Sequence, residues 1–327
     1  MKTTVALVTG GFTGESVISL KSADFVNEKL NPELYEVYKI IITRESWYGV
    51  DDAGVRHLVD RNDFTLNIRD QKIRFDVVFL MLHGSPGEDG RLQGYFDMLQ
   101  IPYTSCDALT SAITMNKGYT KAVVADVPGL HVARSVQLFN QEPESLAPVR
   151  NLSLPLFIKP NNGGSSIGMS KVKSWEELPE ALDKAFKEDT QVLVEEFISG
   201  REFSVGVYQS ADGIRVLPAT EVIPGKEFFD FEAKYTPGVT EEITPGRMSA
   251  EERSQVEEVV TAVYRKLNCR GMVRIDYFLQ EGTSRFYFVE INTIPGQTAQ
   301  SFIPQQVRAA GMKEEDFYSE LIQVALQ

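Results

Sequence analysis

Two apolar runs near the N-terminus stop at glycine. TTVALVT ends at Gly10 and Gly11, and FDVVFLML ends at His83 and Gly84. A run of β-branched and aromatic residues without a polar alternation is a strand buried on both faces. Such strands belong to parallel sheets covered by helices. A helical pattern follows the first run, with Ile18, Phe25, Val26 and Leu30 near one face. Glu36 to Thr43 reads as a second strand, Arg91 to Gln100 as a helix, and IPYTS as a short strand. Strands alternating with helices predict a doubly wound parallel sheet, whose ligands sit at the carboxyl ends of its strands. Both glycine loops fall at such ends.

The chain has 327 residues, enough for about two domains at roughly 150 residues each. A second unit opens with a helix predicted over Ser111 to Ala125. It continues through HVARSVQLF, the strand LPLFIKP, the loop NNGGSSIGMS and a helix starting at Ser174, where Ser174 and Glu177 make a capping box. The strand QVLVEEF closes it. From about Gly200 the strands REFSVGVYQ, RVLPATEVI, GMVRIDYFL and RFYFVEIN imply an α+β unit with antiparallel pairing. A second capping box, Ser249 with Glu252, starts a helix to about Leu267, and two short helices finish the chain. Residues 225–247 mix aromatics, prolines, glycines and acids without a period. Such a stretch is either a functional lid or a disordered insertion. Phe228, Phe229, Phe231 and Tyr235 favour the lid, because exposed aromatics need something to pack on.

Composition sets limits. Hydrophobic residues at 43% and charged residues at 24% suit a well-cored soluble protein. A net charge of −13 excludes nucleic acid and anionic membrane as expected partners, since both need a basic field. It also raises a question: an anionic ligand would need locally gathered positive charge. Cys106 and Cys269 are far apart in sequence and outside any Cys/His cluster, so neither a disulfide framework nor a structural zinc is expected. No apolar run approaches the ~18 residues of a spanning helix. The opening MKTTVALVTGG lacks the features of a signal peptide. The expectation is a cytoplasmic protein.

The sharpest chemical signal is in GMVRIDYFL–EGTS–RFYFVEIN. Arg274 and Asp276 share one face of the first strand, and Glu290 and Asn292 share one face of the second. If the hairpin centres on Thr283, Asp276 stands opposite Glu290 and Arg274 opposite Asn292. Two carboxylates side by side are unfavourable without a cation between them. Oxygen donors from Asp, Glu and Asn suit a hard cation such as Mg²⁺ or Mn²⁺. The other reading is a solvated polar face with a cross-strand Arg–carboxylate pair. Lys159 ends the strand LPLFIKP before a Gly/Ser loop, a pattern that suits phosphate capture by backbone N–H groups and an ordinary turn equally. It is not a Walker A loop. Glu195 and Glu202 flank a hinge in VLVEEFISGRE and are able to accept from a nucleotide's amine or hydroxyls, or else are solvated charges. His83 directly follows a buried strand, which favours a functional role over a surface turn.

Taken in order, these segments resemble the ATP-grasp superfamily and, within it, the D-alanine–D-alanine ligase family. The motifs are GG-x-x-x-E followed by VISLKSA, LHG-x-x-GEDG-x-LQG, MNK, IKP-x-x-GGSSIGMSKV, VEEFISGREF, FEAKY, RIDYFL and VEINTIPG. The resemblance covers nearly the whole chain. It implies three parts: a Rossmann-like domain over 1–108, a central subdomain over 109–196, and a C-terminal subdomain over 197–327 carrying the lid at 225–247. It implies ATP-dependent joining of two D-alanines through an acyl phosphate, for peptidoglycan synthesis. Glu15 would bind the first D-alanine's ammonium and link with Ser165 and Tyr235. His83 would sit near its carboxylate. Arg274 and the Gly296 N–H would form the oxyanion site, and Ser301 and Phe302 would hold the second D-alanine. Lys117, Lys159 and Lys234 would contact ATP phosphates; Glu195, Phe197, Ile198 and Glu202 would frame adenine and ribose. Asp276, Glu290 and Asn292 would ligate two Mg²⁺ or Mn²⁺ ions. A homodimer is implied by the resemblance alone.

The chain also departs from the family's pattern. Gly163 stands where a Glu is common, and Phe229 and Phe231 stand where tyrosines are common. Tyr235 is kept, which in this family goes with D-alanine rather than D-lactate as second substrate. The alternatives are a D-alanine–D-lactate or D-alanine–D-serine ligase on the same scaffold, and a non-catalytic nucleotide-binding module.

Overall fold

The apolar N-terminal runs become β1 (Thr3–Gly10) and β7 (Val77–Leu80), with β2 (Tyr35–Ile42) beside β1. The computed structural model describes residues 2–51, 53–69, 71–164, 167–224 and 240–327. β1 pairs in parallel with β2 and with β7, and Val5 to Val8 are fully buried, as two-sided burial requires. The parallel part ends there. β3 (Trp47–Val50), β4 (Arg56–Asp60), β5 (Thr65–Ile68) and β6 (Gln71–Ile73) extend the sheet as an antiparallel meander, in the order β6-β5-β4-β3-β2-β1-β7. These strands are short and carry mixed polar residues, so they lack the apolar signature that marked β1 and β7. IPYTS supplies only a single bridge, Tyr103 to Val78.

β9 (Ser135–Leu138), β10 (Leu156–Pro160), β11 (Ser170–Val172) and β12 (Val192–Glu196) form a four-stranded antiparallel sheet in the order β11-β10-β12-β9. β8 (Leu130–Val132) precedes them in sequence but pairs in parallel with the strand Phe286–Asn292 of a different sheet. That sheet also holds β13 (Gly200–Ser210), β14 (Gly213–Val216), β15 (Thr220–Pro224), β16 (Thr240–Ile243), β17 (Met272–Gln280) and β18 (Phe286–Asn292). Its order is β16-β15-β13-β17-β18-β8, with β14 also on β13. RVLPATEVI, read from sequence as one strand, is split between β14 and β15. Pro218 lies in the gap and has no N–H for a ladder.

Helix ends show where local chemistry decides. The helix expected over Ser111 to Ala125 is two helices, Ala108–Met115 and Lys117–Val124. Asn116 between them is extended, and its side chain caps the second through the Tyr119 N–H. The Ser249–Glu252 capping box forms in full on Ala250–Lys266. The Ser174–Glu177 box does not. That helix spans Leu178–Phe186, and Glu177 reaches back to the Lys173 N–H instead. Pro179 explains the shift, because a helix begun at Ser174 would place its ring in the helix interior.

One core joins the two ends of the chain. Phe317, Tyr318, Leu321 and Ile322 of the C-terminal helix Glu314–Ala325 pack with the β1–β7 core.

Candidate functional site

The hairpin of β17 and β18 builds the first wall of the site. Val273, Ile275, Tyr277 and Leu279 alternate into the core beneath the helix Ala250–Lys266, which turns Arg274 and Asp276 to the opposite face. Arg274 pairs with Asn292 and Asp276 with Glu290, the register expected from a turn centred on Thr283. Between Asp276 and Tyr277 the register slips by one, so that Tyr277 faces Phe288. Strict alternation along FYFVEIN would put Phe286, Phe288, Glu290 and Asn292 on one face. The bulge separates them. Phe286, Phe288 and Ile291 stay in the core, while Glu290 and Asn292 face the polar side.

The Arg274 Nε and Nη2 donate to both Asp276 oxygens at 2.9 and 2.7 Å. Ser204 Oγ donates to Asp276 at 2.5 Å and Asn292 Nδ2 at 3.4 Å. Burial works against the guanidinium's charge, but Asp276, Glu290 and Glu88 outweigh it and hold its pKa above the usual range. The Phe302 ring lies 5.6 Å from the guanidinium carbon.

The four-stranded sheet forms the facing wall. Leu156, Ile158, Val192 and Val194 bury against the helix Leu178–Phe186, so Phe157, Lys159, Leu193 and Glu195 turn to the other side. Glu195 accepts from Lys159 at 2.5 Å through one oxygen and from Lys121 through the other. Burial raises its pKa, but the two ammonium groups overcome that and set it at about 2. Lys121, buried and near Lys159 and Lys117, is pushed down to about 8 despite Glu195. Glu195 therefore serves here as the counter-ion of two lysines, a contact the sequence reading did not include.

Lys117 joins the walls. Its Nζ donates to the Gly163 carbonyl at 2.5 Å and lies 3.3 Å from Glu290. It starts its helix, and the Lys117 and Gly118 N–H groups donate to the Asn161 carbonyl and side-chain oxygen at 3.0 and 2.9 Å. Gln191 steadies this junction by accepting from Asn116, Gln137 and Asn161.

The N-terminal unit supplies the third side. A Cβ on Gly84 would lie 2.8 Å from one Glu15 oxygen, and one on Gly164 would lie 3.0 Å from the other. Glu15 thus sits between the loop after β7 and the glycine loop after β10. His83 Nδ1 is 2.8 Å from the Ile294 carbonyl and must donate to it. Nε2 lies 3.1 Å from Ser22 Oγ, which also accepts the Gln297 N–H. Burial pushes the imidazole pKa down, so the neutral ring accepts from Ser22. Both ring nitrogens are engaged, and His83 ties the loop after β18 to the N-terminal unit. In that loop a Cβ on Gly296 would lie 3.0 Å from Ser301 Oγ, which accepts the Thr298 N–H.

The structure thus brings Glu15, His83, Lys117, Lys159, Glu195, Arg274, Asp276, Glu290, Asn292, Gly296, Ser301 and Phe302 to these three sides. Phe197 and Ile198 lie in the β12–β13 connection, where the Phe197 ring is 3.7 Å from Lys171 Nζ, and Glu202 lies on β13. Ser165, Lys234 and Tyr235, with residues 225–239, lie outside the described residues. Sequence reasoning passed over Lys121, Ser204 and Glu88. Glu88 stood within the quoted motif GEDG, so a signal was present. It accepts from the Gly84 N–H at 2.7 Å and the Ile294 N–H at 3.3 Å. Among the described residues no group of three or more His, Cys, Asp or Glu is placed to hold a metal ion, so a cation at the hairpin would take Asn292 with the two carboxylates.

Comparison with known proteins agrees along the chain. Residues 4–106 match the family model described as D-ala D-ala ligase N-terminus, and residues 124–323 the one described as D-ala D-ala ligase C-terminus. A D-alanine–D-alanine ligase of Phocaeicola vulgatus is 43% identical over 326 residues, covering 99% of both chains. One from Bacteroides fragilis is 42% identical over 327 residues, again covering 99% of each. Among solved structures, the VanG D-Ala:D-Ser ligase of Enterococcus faecalis superposes with a TM-score of 0.89 at 33% identity, covering 99% of this chain and 100% of that one. A Bacillus anthracis D-alanine–D-alanine ligase complexed with ATP superposes with a TM-score of 0.78 at 26% identity, covering 99% and 97%.

Proposed function

Because the chain belongs to the D-alanine–D-alanine ligase family, we propose a division of labour among its residues for the ATP-driven joining of two D-alanines. The fold is ATP-grasp, and the reaction gives D-alanyl-D-alanine, ADP and phosphate through a D-alanyl phosphate, a cell-wall precursor step. The observation that carries the residue assignment is Lys117, which touches the glycine loop at Gly163 and the carboxylate pair at Glu290. The glycine loop after β10 and the carboxylates of the β17–β18 hairpin meet at this one lysine.

In this reading Lys117 and Lys159 receive the triphosphate, joined by Lys234 from the lid at 225–247. The lysine cluster answers the question raised by a net charge of −13: the positive charge is gathered locally. Glu195 keeps Lys159 in place and, with Phe197, Ile198 and Glu202, borders the base and ribose. Asp276 and Glu290 face each other across two strands with Asn292 beside them, a like-charged oxygen set that suits Mg²⁺ or Mn²⁺. Two such ions, when bound, would neutralise triphosphate charge.

Glu15 takes the ammonium of the first D-alanine, in a link completed by Ser165 and Tyr235, and His83 fixes the neighbouring loop near its carboxylate. Arg274, held by Asp276, and the Gly296 N–H face the developing oxyanion, where fixed donors are worth most. Ser301 and Phe302 border the second D-alanine. The lid excludes water from an acyl phosphate that would otherwise hydrolyse. Three domains at 1–108, 109–196 and 197–327, a cytoplasmic site of action and a homodimer complete the proposal. No helix among the described residues is long and apolar enough to cross a membrane.

The test is product analysis of the full chain with MgATP and D-alanine, D-serine and D-lactate in competition. Phosphate release that depends on D-alanine, with D-alanyl-D-alanine as main product, is the expected result. No D-alanine-dependent release, or a mainly ester or D-serine product, overturns the assignment.

A further inference from the structure

Peptide-bond formation requires the second D-alanine to arrive as an ammonium and attack as an amine. A group in the site must take that proton. We propose that Glu88 is this base: its carboxylate is held on two backbone N–H groups, one at Gly84 beside Glu15 and one at Ile294 in the loop that carries Gly296, in the part of the cleft where the peptide bond forms. The inference rests on the ligase reading above and adds a catalytic residue to it.

The geometry has three parts. First, Glu88 is half-buried and not sealed from solvent. Second, it accepts hydrogen bonds from the Gly84 N–H at 2.7 Å and the Ile294 N–H at 3.3 Å, one to each oxygen. Each carboxylate oxygen has two lone pairs, so this leaves room for a further donor. Third, its two anchors belong to the two sides of the site. Gly84 adjoins Glu15, and Ile294 is held by His83 and lies two residues before Gly296.

The charged and titratable groups facing it are Glu15 from the loop before the helix Ser16–Lys29, neutral His83 after β7, and Arg274 on β17. On its own segment, Asp89 is engaged by Arg91. Burial first, and then the negative charge of Glu15, push the Glu88 carboxyl up to about 8, against the pull of the two N–H groups and Arg274. A base works best with a pKa near the working pH. The sign follows: the proton-accepting form grows as pH rises through about 8.

The step balances. The ammonium gives one proton to the Glu88 carboxylate and becomes an amine. The amine nitrogen forms a C–N bond to the acyl-phosphate carbon. The carbon–oxygen bond to phosphate then breaks, and the departing phosphate carries off the second nitrogen proton. Glu88, now neutral, returns its proton to solvent with product release.

The experiment compares the native chain with Glu88→Gln and Glu88→Asp, using D-alanine or hydroxylamine as the nucleophile. Hydroxylamine is uncharged near neutral pH and needs no base to attack. For Glu88→Gln, dipeptide formation should fall by about a hundredfold, within the range of lost general-base catalysis. The rise of its rate with pH through about 8 should vanish, while D-alanyl hydroxamate formation stays within about threefold of native. Glu88→Asp should recover part of the dipeptide rate and the pH limb. Equal loss of dipeptide and hydroxamate, or an unchanged dipeptide rate, overturns the proposal. If the native chain makes neither product, it is the ligase reading that fails.

Discussion

The two walls of the cleft carry the same kinds of group in opposite proportion. On the four-stranded sheet's side, Lys117, Lys121 and Lys159 gather near one buried carboxylate, Glu195. On the hairpin's side, Asp276 and Glu290 gather near one guanidinium, Arg274. Neither wall is neutral, and strand alternation against an apolar core turns Lys159 and Glu195 outward on one wall and Arg274 and Asp276 on the other. A surplus of buried like charge is costly unless a ligand completes it. We propose that the difference reflects what each wall receives: an anion at the lysines, a cation at the carboxylates. The net charge of the chain says nothing about either.

Removing one negative charge from each wall tests this contrast. The largest expected effect is on activity from Glu290→Gln. D-alanine-dependent phosphate release should fall by about a thousandfold, the scale of losing a fixed electrostatic contact to the transition state. Stability in urea should change by less than about 1 kcal/mol, because relief of repulsion from Asp276 offsets the lost contact with Lys117. Turnover that is unchanged at limiting Mg²⁺ would remove Glu290 from the cation site.

The same chemical change on the opposite wall should behave differently. Glu195→Gln leaves Lys121 and Lys159 buried without their counter-ion, and the chain should lose about 3 kcal/mol of stability. In the native protein the Glu195 carboxyl lies at about 2, below its ordinary value. Its contribution is present above the ordinary carboxylate range and is lost only as pH falls toward 2. In the variant it is missing throughout, so urea melts at pH 7 and pH 4 should show the deficit at both. Equal stability of the two proteins would mean that Glu195 is not the anchor of this wall.

How far the sequence reveals these walls depends on what fixes each residue. Arg274, Asp276, Glu290 and Asn292 were legible because strand period and turn position set their register. The bulge that sends Phe288 and Glu290 to opposite faces was not, since it answers to the packing of Phe286, Phe288 and Ile291 in the core. The parallel strands were legible from continuous apolar runs. The meander β3–β6 was not, because half-exposed short strands carry little pattern. Lys121 escaped notice for a related reason. It lies on a helix whose polar face reads as solvated until the sheet with Glu195 is laid against it.

The smallest predicted effect belongs to Lys121 and probes the lysine wall through its proton. Burial, and then the neighbouring Lys159 and Lys117, depress its pKa from 10.5 to about 8, although Glu195 works the other way. At pH 8 the unliganded protein therefore holds this ammonium only in part. A triphosphate placed among the three lysines adds negative charge and raises the pKa again. Nucleotide binding at pH 8 should draw in about half a proton, and affinity should weaken as pH rises above that value. Calorimetry of nucleotide binding in two buffers of different ionisation enthalpy reads the uptake directly, and Lys121→Met should abolish it. Zero uptake, or proton release, would mean that the triphosphate lies away from this wall and that the surplus of lysine has another purpose.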